Sequence, residues 1–183
     1  HRDLHSFPTR RSSDLAVAVA EAMNRFELKP EIKWPNDILF DGRKIVGILT
    51  EMTCELGRIN YVVVGTGINV NISRDEFPEN LRPIAASLSE MKGEDLSRVD
   101  FFRAVLEEFD RLYIEVLETG FDKVIERWKK YNITLGKNIR VISTVGDSES
   151  FTGKAVDLNS DGAIIVETPQ GRRTVYAGDV SIR

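Results

Sequence analysis

The stretch KWPNDILFDGRKIVGILTE, residues 33–51, decides how the surrounding chain folds. Pro35 favours extended backbone at the residue before it and disfavours a helix at this point. Ile38–Phe40 has the composition of a short buried strand, and Ile45–Leu49 is an apolar run that can return beside it. Asp41-Gly42 lies between them and suits a type I′ turn, which needs positive φ at both central residues. The sequence therefore predicts a tight β-hairpin with charged and amide side chains at its base.

The segments on either side of the hairpin predict a helix and a further strand. Leu15–Phe26 is rich in alanine and places its larger apolar residues on one face, which indicates a helix. Tyr61–Val64 is β-branched and predicts a buried strand that completes a three-stranded antiparallel meander. Residues 51–60 are expected to form the turn before it. Gly65 and Gly67 are expected to end this strand, where missing side chains let backbone approach a ligand.

The middle of the chain is predicted to be helical. Residues 85–91 allow a short helix, and Phe121–Tyr131 is an amphipathic segment. Between them an apolar stripe repeats at helical spacing and stops before Gly120, an expected helix terminator. We expect this stripe to be core: Phe102, Val105, Leu106, Phe109, Leu112, Tyr113, Val116 and Leu117.

From Leu135 onwards the pattern changes from helical spacing to short alternating runs. Four strands are predicted at residues 139–142, 151–156, 163–166 and 173–176, and a fifth at residues 180–182. Glycine-containing turns separate them. Short strands at this spacing are typical of a small barrel that closes on itself and hides its edges.

Composition narrows the class of protein. The chain has 183 residues, 42% hydrophobic and 30% charged, which is typical of a soluble globular protein. A net charge of −4 argues against a nucleic-acid surface as the main purpose. Cys54 is the single cysteine and cannot form an internal disulfide, which suits the reducing cytoplasm. No run approaches the roughly 18 apolar residues that a membrane span needs.

The first fourteen residues, HRDLHSFPTRRSSD, do not resemble the start of a domain. They are polar, lack apolar periodicity and hold both histidines of the chain. A basic targeting arm is one interpretation. The other, which we favour, is a translated adapter sequence joined to a truncated gene. We therefore exclude residues 1–14 from the fold prediction and do not treat His1 or His5 as candidate ligands.

Three motifs together resemble one known family. KWPND at residues 33–37, GRKIVGILTEM at residues 42–52 and VVGTGINVN at residues 63–71 are similar to the catalytic domain of biotin protein ligases. The resemblance extends from about Leu15 to the C-terminus. It implies an enzyme that activates biotin with ATP to biotinyl-5′-adenylate and transfers the biotinyl group to a lysine of a carrier protein.

The resemblance also implies the architecture. We expect an α+β fold of the class II synthetase type, with a mixed or antiparallel sheet and helices, followed by a small SH3-like β-barrel. The predicted division is residues 15–134 for part of the catalytic domain and residues 135–183 for the SH3-like domain. ATP, Mg²⁺ and biotin are the implied cofactors and substrates. The implied partner is the biotin carrier domain of a carboxylase, in the cytoplasm and without a membrane.

Lys44 is the leading catalytic candidate. Adenylation brings a carboxylate onto a polyphosphate, so the site must supply fixed cationic donors. Lys44 lies just past the hairpin turn, where the strand holds its stem while the ammonium group reaches an anion. A solvated hairpin lysine without a role is the alternative. The resemblance assigns Lys44 to the lysine that contacts biotin and the α-phosphate.

Glycine-containing backbone is predicted to line the rest of the pocket. Gly47 and Ile48 are expected to offer backbone amides to biotin or biotinyl-AMP, with Gly67 opposite them. The alternative for Gly47 is a strand glycine that faces packed neighbours. By resemblance Asn69 lies near the adenine, whereas its sequence context alone indicates an ordinary turn residue.

The KWPND motif supplies the other predicted nucleotide contacts. Lys33 either binds a phosphate or pairs with Asp37. Trp34 is a candidate for the nucleotide-binding part of the site. We favour a role as a rigid wall of the pocket over a role as a platform on which adenine stacks. Asn36 either caps the turn or holds the nucleotide. Asp37 either binds Mg²⁺, orients Lys44 or has a purely structural turn role. Arg183 is a further candidate, by similarity to the end of the family's sequences.

One departure from the family pattern affects the expected activity. The family has an arginine-rich loop of the Gly-Arg-Gly-Arg type before the first helix pair, and no segment here matches it. We therefore expect the C-terminal half of a ligase that binds biotin and ATP weakly and turns over little, with an exposed sheet edge. The alternatives are a lipoate-type acyl-adenylate ligase and a non-catalytic binding module. DNA binding is expected only if the full gene product has an additional N-terminal domain.

Overall fold

The computed structural model describes residues 6–55, 58–142 and 150–182. Within these ranges one helix is followed by four strands, three helices and five further strands, with one 3₁₀ turn at Arg74–Glu76: α1 (Ser6–Arg25), β1 (Glu31–Lys33), β2 (Asp37–Phe40), β3 (Arg43–Glu55), β4 (Arg58–Ile68), α2 (Leu88–Lys92), α3 (Arg98–Thr119), α4 (Asp122–Tyr131), β5 (Asn138–Ile142), β6 (Phe151–Leu158), β7 (Ile164–Thr168), β8 (Gly171–Val175) and β9 (Asp179–Ile182). The predicted α+β class is confirmed.

The first sheet has four antiparallel strands in the order β1-β2-β3-β4. Its centre is the predicted hairpin, in which Phe40 faces Arg43 and the turn residues Asp41 and Gly42 have φ of 49° and 74°. These positive values are the ones that an Asp-Gly type I′ turn requires. The meander is therefore confirmed, while β1 was not predicted because three residues are too few to show an alternating pattern.

Two predictions about β3 and β4 are wrong. The predicted turn at residues 51–60 is strand at both ends, because β3 runs to Glu55 and β4 begins at Arg58; the glycine at position 57 lies outside the described residues. Gly65 and Gly67 do not end β4, which continues to Ile68. An antiparallel ladder is held by backbone hydrogen bonds, so glycines weaken it without breaking it.

Helix α1 forms the centre of the core, beneath the first sheet. It begins at Ser6 rather than at the predicted Leu15, and Ser12, Ser13 and Asp14 are buried. The Ser12 hydroxyl lies 2.9 Å from the hydroxyl of Thr50 on β3. Part of the segment that was left out of the fold prediction is thus helical, and its origin stays a prediction. No helix among the described residues is long and apolar enough to cross a membrane.

Helix α3 packs one face on α1 and leaves another exposed. Ser97 caps its first turn by accepting a hydrogen bond from the Asp100 amide, and Gly120, with φ of 87°, follows its end as predicted. Its buried face is Phe101, Ala104, Val105 and Leu112. The prediction that the whole stripe is core is wrong for Phe102, Leu106, Tyr113 and Leu117, which are exposed. The apolar surface of α3 is wider than its contact with the neighbouring helices.

The second sheet contains all five strands predicted beyond Leu135. Their order is β8-β7-β6-β5-β9, with every pair antiparallel. The prediction of a closed barrel is wrong for the described residues, because β8 and β9 are opposite edges of the sheet and do not pair with each other. The SH3-like unit is therefore an open five-stranded sheet here.

Trp34 joins the two sheets. Its side chain is 1% exposed, and its indole Nε1 donates to the carbonyl of Gly162, just before β7, at 3.0 Å. Its backbone amide donates to the hydroxyl of the buried Thr134 at 2.9 Å. The amide of Ile133 also donates to the Ile32 carbonyl at 3.0 Å. The strand that leads into the hairpin is thus fixed to the start of the second sheet.

An ion pair adds a pH-dependent contact between α4 and β6. The Lys129 ammonium lies 2.6 Å from the Asp157 carboxylate, and this hydrogen bond is the main reason why the pKa of Asp157 is lowered. A lowered carboxyl pKa stabilises the fold above the ordinary value of about 3.9, and this contribution is lost as pH falls through the lowered pKa.

We therefore expect Asp157→Asn to reduce the free energy of unfolding near pH 7 by less than about 1 kcal/mol, because both side chains are largely exposed. The difference from wild type should disappear in acid, below the pKa that Asp157 has in the folded protein. Denaturant unfolding at several pH values measures it. Asp95→Asn, at an exposed aspartate, is the control; an equal loss in that variant, or a loss that persists in acid, contradicts the prediction.

Candidate active site at the hairpin

A cavity of about 480 Å³ lies against the base of the hairpin. This volume is in the range of small-molecule sites, roughly 300–1,000 Å³. Most of its wall is the β2-β3-β4 sheet, and one residue comes from β9 of the second sheet. The lining residues are Asn36, Asp37, Lys44, Gly47, Ile48, Leu49, Gly65, Thr66, Gly67 and Asp179. The structure thus brings together Asn36, Asp37, Lys44, Gly47, Ile48 and Gly67 from the predicted set.

Lys44 and Asp37 form an ion pair at this cavity. The Lys44 Nζ lies 2.6 Å from Asp37 Oδ1, with the lysine side chain 49% and the aspartate 21% exposed. A register shift between β2 and β3 pairs Lys44 with Leu39 but Gly47 with Asp37. The lysine therefore bends over Gly47 to reach the carboxylate. Of the three roles considered for Asp37, orientation of Lys44 is the one with a contact in the structure.

The backbone of Lys44 is held from the side by residues 84–86. Its amide donates to the Ile84 carbonyl at 2.7 Å, and its carbonyl accepts from the Ala86 amide at 2.9 Å. Asn69 fastens this segment, since its Nδ2 donates to the Ala86 carbonyl at 3.0 Å. Asn69 does not line the cavity in this structure. Its contact with adenine stays a prediction. Its hydrogen bond to the Ala86 carbonyl is a structural role that was not predicted from the sequence.

Asn36 and Ile48 bond to each other across the hairpin base. The Asn36 side-chain amide donates to the Ile48 carbonyl, and the Ile48 amide donates to the Asn36 carbonyl at 3.1 Å. The prediction that the Ile48 amide faces a ligand is therefore wrong in this structure, because that donor is already used. Asn36 lines the cavity while it bridges to β3, and its contact with a nucleotide stays a prediction.

Three predicted site residues lie elsewhere or beyond the described residues. Trp34 is buried at the junction of the sheets, which supports the rigid wall rather than a stacking platform. Lys33 is partly buried on β1, opposite Asp37 in the register, and it does not line the cavity. Arg183 lies outside the described residues. Binding roles for these residues stay predictions.

Three lining residues were not predicted: Leu49, Thr66 and Asp179. Leu49 and Thr66 continue the two strands that carry Gly47 and Gly67, so strand pairing could have indicated them. Gly65, which was expected to let a ligand approach the backbone, also lines the cavity. Asp179 comes from β9, far away in sequence. No local pattern signals it, because its place depends on how the second sheet docks on the first.

Gly47 provides the space in which the lysine lies. A Cβ atom at this position would come within 2.8 Å of Lys44 Cε and 3.0 Å of Nζ. The neighbours in question are the end of a long side chain, which can move at little cost. The glycine at position 67 differs, since an added Cβ would meet only the Gly47 carbonyl oxygen at 4.0 Å.

We therefore expect Gly47→Ala to fold with nearly wild-type stability while displacing the Lys44 ammonium from Asp37. The exchange-averaged ¹⁵N or ¹³C resonances of the Lys44 side chain measure this displacement, and thermal unfolding measures stability. Gly67→Ala is the matched control and should leave the lysine resonances unchanged. Unchanged resonances in Gly47→Ala would show that the glycine is not needed for the lysine's position.

A larger cavity, of about 770 Å³, lies on the other side of the hairpin tip. Its lining mixes acidic and basic side chains with Phe40 and Met91 and contains none of the predicted site residues. This lining contains no glycine. It also contains no lysine or arginine that a carboxylate on a neighbouring strand holds in place. The smaller cavity therefore has the features that an anion-handling site needs.

Comparison with known proteins agrees with the fold. Residues 9–69 match the family model described as "Biotin/lipoate A/B protein ligase family", and residues 134–183 match "Biotin protein ligase C terminal domain". The chain is 38% identical over 168 residues to the bifunctional ligase/repressor BirA of Bacillus spizizenii, covering 91% of this chain and 51% of that protein. It is 31% identical to the biotin–[acetyl-CoA-carboxylase] ligase of Paracoccus denitrificans, covering 81% and 61%.

The solved structure of biotin protein ligase from Aquifex aeolicus in complex with biotin and ATP superposes with a TM-score of 0.80 at 26% identity. The match covers 100% of this chain and 73% of that one. An α+β sheet domain followed by an SH3-like sheet is thus the class of fold that this chain shares with that structure. The chain belongs to the biotin protein ligase family. It spans about half the length of the curated BirA relative.

Proposed function

We propose that this chain supplies the lysine-bearing wall of a site that joins biotin to AMP. In that reaction a carboxylate oxygen of biotin attacks the α-phosphorus of ATP, and the bond from this phosphorus to the pyrophosphate oxygen breaks. Biotinyl-5′-adenylate and pyrophosphate are formed. A lysine amine of a carrier domain then attacks the acyl carbon, and AMP leaves. The observation that carries the proposal is the Lys44 ammonium, held by Asp37 at the edge of a glycine-lined cavity.

The charge balance of the site suits this step. Biotin's carboxylate and the α-phosphate are both negative, and they must approach each other for the new bond to form. An ammonium group fixed near both anions stabilises the added charge without reorganising during the reaction. The Asp37 contact limits the positions that the flexible lysine adopts. Without it, part of the binding free energy would be spent on ordering four rotatable bonds.

The glycines give the ligand access to the sheet. Gly47 and Gly67 are cross-strand partners, and Gly65 continues the same row on β4. With no side chains at these positions, a ligand can lie directly against the backbone of two strands. The cavity therefore combines a flat, open floor with one cation at its rim. Such a shape suits a ring system attached to a short carboxylate chain.

ATP and biotin are proposed as ligands because a related structure contains both. Mg²⁺ is proposed as the partner of the ATP phosphates, whose negative charge it would reduce when bound. The described residues include no group of three or more histidine, cysteine, aspartate or glutamate side chains that could hold a metal. Asp37 and Asp179 both line the cavity. Two carboxylates fit the usual Mg²⁺ arrangement, in which substrate phosphates and water supply the remaining ligands.

The acceptor is proposed to be the biotin carrier domain of a carboxylase, and the location to be the cytoplasm. The names of the relatives support biotin, while one family model also includes lipoate ligases. Lipoate is therefore the second candidate substrate. A non-catalytic module remains the candidate from another class, and it predicts that adenylates do not bind.

Calorimetric titration of the folded chain with non-hydrolysable analogues of biotinyl and lipoyl adenylate tests the proposal. We expect the biotinyl analogue to bind more tightly than the lipoyl analogue, and biotin alone to bind more weakly than in the micromolar range. Tighter lipoyl binding would change the substrate, and no binding of either analogue would favour the module. Micromolar binding of biotin alone would overturn the expectation of a weak site.

A further inference from the structure

Arg43 and Glu90 form an ion pair between β3 and α2. The Arg43 Nη1 donates to Glu90 Oε1 at 2.6 Å, and the two side chains are 15% and 27% exposed. A partly buried ion pair of this kind is screened less by water and salt than an exposed one. Neither residue lines the smaller cavity, although Arg43 is the neighbour of Lys44 on β3. Any effect of this pair on a ligand in that cavity must therefore pass through other residues.

The carboxylate of Glu90 bonds to β3 rather than to its own helix. Ser87 caps α2, and its hydroxyl accepts a hydrogen bond from the Glu90 amide at 3.3 Å. In a Ser-x-x-Glu sequence the glutamate side chain usually reaches back to the amide of the capping serine. Here Glu90 Oε1 accepts from Arg43 instead, and Oε2 is buried without a hydrogen-bond partner among the described residues. Loss of Arg43 would therefore leave a partly buried carboxylate without its cation, which is unfavourable.

The stretch that leads into α2 holds the backbone of Lys44. This lysine lies beyond the last residue of β3 that pairs with β4, and its backbone bonds to this stretch instead. Its amide donates to the Ile84 carbonyl at 2.7 Å, and its carbonyl accepts from the Ala86 amide at 2.9 Å. Four residues after Ala86, Glu90 bonds to Arg43. One short stretch is thus bonded to two adjacent residues of β3, once through the backbone and once through side chains.

We propose that the Arg43–Glu90 ion pair positions Lys44 for an anionic ligand in the smaller cavity. The pair keeps α2 close to β3, and α2 keeps the preceding stretch within hydrogen-bond distance of the Lys44 backbone. The register shift between β2 and β3 lies at this point, so regular strand pairing alone fixes the direction of the lysine less firmly. The effect on affinity rests on the proposed function, whereas the position of the lysine can be measured without a ligand.

Amide hydrogen exchange of the full chain, measured by NMR, tests the position of the lysine. We expect Glu90→Gln to accelerate exchange of the Lys44 and Ala86 amides by about tenfold, the difference between a charge-assisted and a neutral hydrogen bond. The side-chain resonances of Lys44 should shift in the same variant. Glu94→Gln is the matched control and should change neither, because it removes the same charge just beyond α2 from a side chain that is 69% exposed. Unchanged exchange and resonances in Glu90→Gln overturn the proposal.

A double variant tests whether the two residues act as a pair. Arg43→Gln alone leaves the Glu90 carboxylate without its cation and should accelerate exchange at least as much as Glu90→Gln. Both substitutions together allow a neutral hydrogen bond between two amides, so the double variant should be no worse than either single one. Additive losses would show that Arg43 and Glu90 act independently, against the proposal. If circular dichroism shows that Glu90→Gln does not fold, Glu90→Asp, which keeps the charge and shortens the reach, replaces it with the same expected result.

Binding of the biotinyl adenylate analogue separates positioning of the lysine from a general loss of structure. Calorimetric titration should give up to about tenfold weaker binding for Glu90→Gln than for wild type. In the Lys44→Ala background, Glu90→Gln should cause no further loss, because the pair acts through the lysine. A further loss of similar size in that background overturns the proposal. If the wild-type chain does not bind the analogue, the proposed function fails, and the exchange rates and lysine resonances still decide the role of the ion pair.

Discussion

Lys44→Ala is expected to weaken binding of the biotinyl adenylate analogue by one to two orders of magnitude. A hydrogen bond to a charged group contributes about 1.5–3 kcal/mol, and each 1.4 kcal/mol corresponds to a factor of ten in affinity. The lysine is the cationic side chain whose Nζ lies beside Asp37 at the cavity, so its removal leaves two acidic residues, Asp37 and Asp179, facing an anionic ligand. Calorimetric titration of the variant beside the wild type measures the loss.

Two further variants separate the specific role of Lys44 from a general effect of charge. Lys130→Ala removes an exposed lysine from α4 and should leave the affinity unchanged, which controls for a general change of net charge. Lys44→Arg keeps the charge but replaces a compact ammonium group by a longer, planar guanidinium group, so it should recover only part of the affinity. An affinity for Lys44→Ala within twofold of wild type would remove the lysine from the site, provided that circular dichroism shows a folded protein.

The largest loss of stability is expected at Trp34. Replacement of a fully buried tryptophan by alanine costs about 3–5 kcal/mol, because it removes packing and leaves a cavity. Trp34→Ala should therefore lower the free energy of unfolding by this amount, measured by denaturant unfolding. It should also separate the unfolding of the second sheet from that of the first, which two probes, far-ultraviolet circular dichroism and Trp128 fluorescence, can detect.

Trp128 offers a matched control for the hydrogen bond alone. Trp34 and Trp128 are both buried, yet Nε1 of Trp34 donates to Gly162 whereas Nε1 of Trp128 has no hydrogen-bond partner among the described residues. Trp34→Phe and Trp128→Phe remove a similar volume. The first should cost about 1–3 kcal/mol more, since the Gly162 carbonyl then loses its donor in the interior. Equal costs would show that the Trp34 bond does not stabilise the junction.

The hairpin and its glycine-lined floor could be predicted from sequence because their causes are local. Asp41 and Gly42 adopt the backbone that a type I′ turn requires, and the strands beside them are apolar enough to be recognised. The pairing of Lys44 with Asp37 was one of several alternatives. It became definite only through a register shift that places Asp37 beside Gly47, and single sequences do not show such irregularities.

The parts that could not be predicted depend on contacts between distant segments. Asp179 reaches the cavity because the second sheet docks on Trp34, more than a hundred residues earlier in the chain. The Ile48 amide is occupied by Asn36, a competition between partners that spacing alone does not reveal. The stripe on α3 has the periodicity of a core helix. Only the residues of α3 that contact the neighbouring helices are buried, and the sequence does not show how wide that contact is.

The docking of one sheet on the other has a consequence for heat resistance. A ligand that contacts both Gly47 and Asp179 connects the first sheet to the second. Its binding free energy then adds to the free energy needed to separate the two sheets. Because this coupling is reciprocal, a change that weakens the contacts of Trp34 between the sheets also lowers the affinity for the ligand. We therefore expect a bound substrate to raise the temperature at which the two sheets separate.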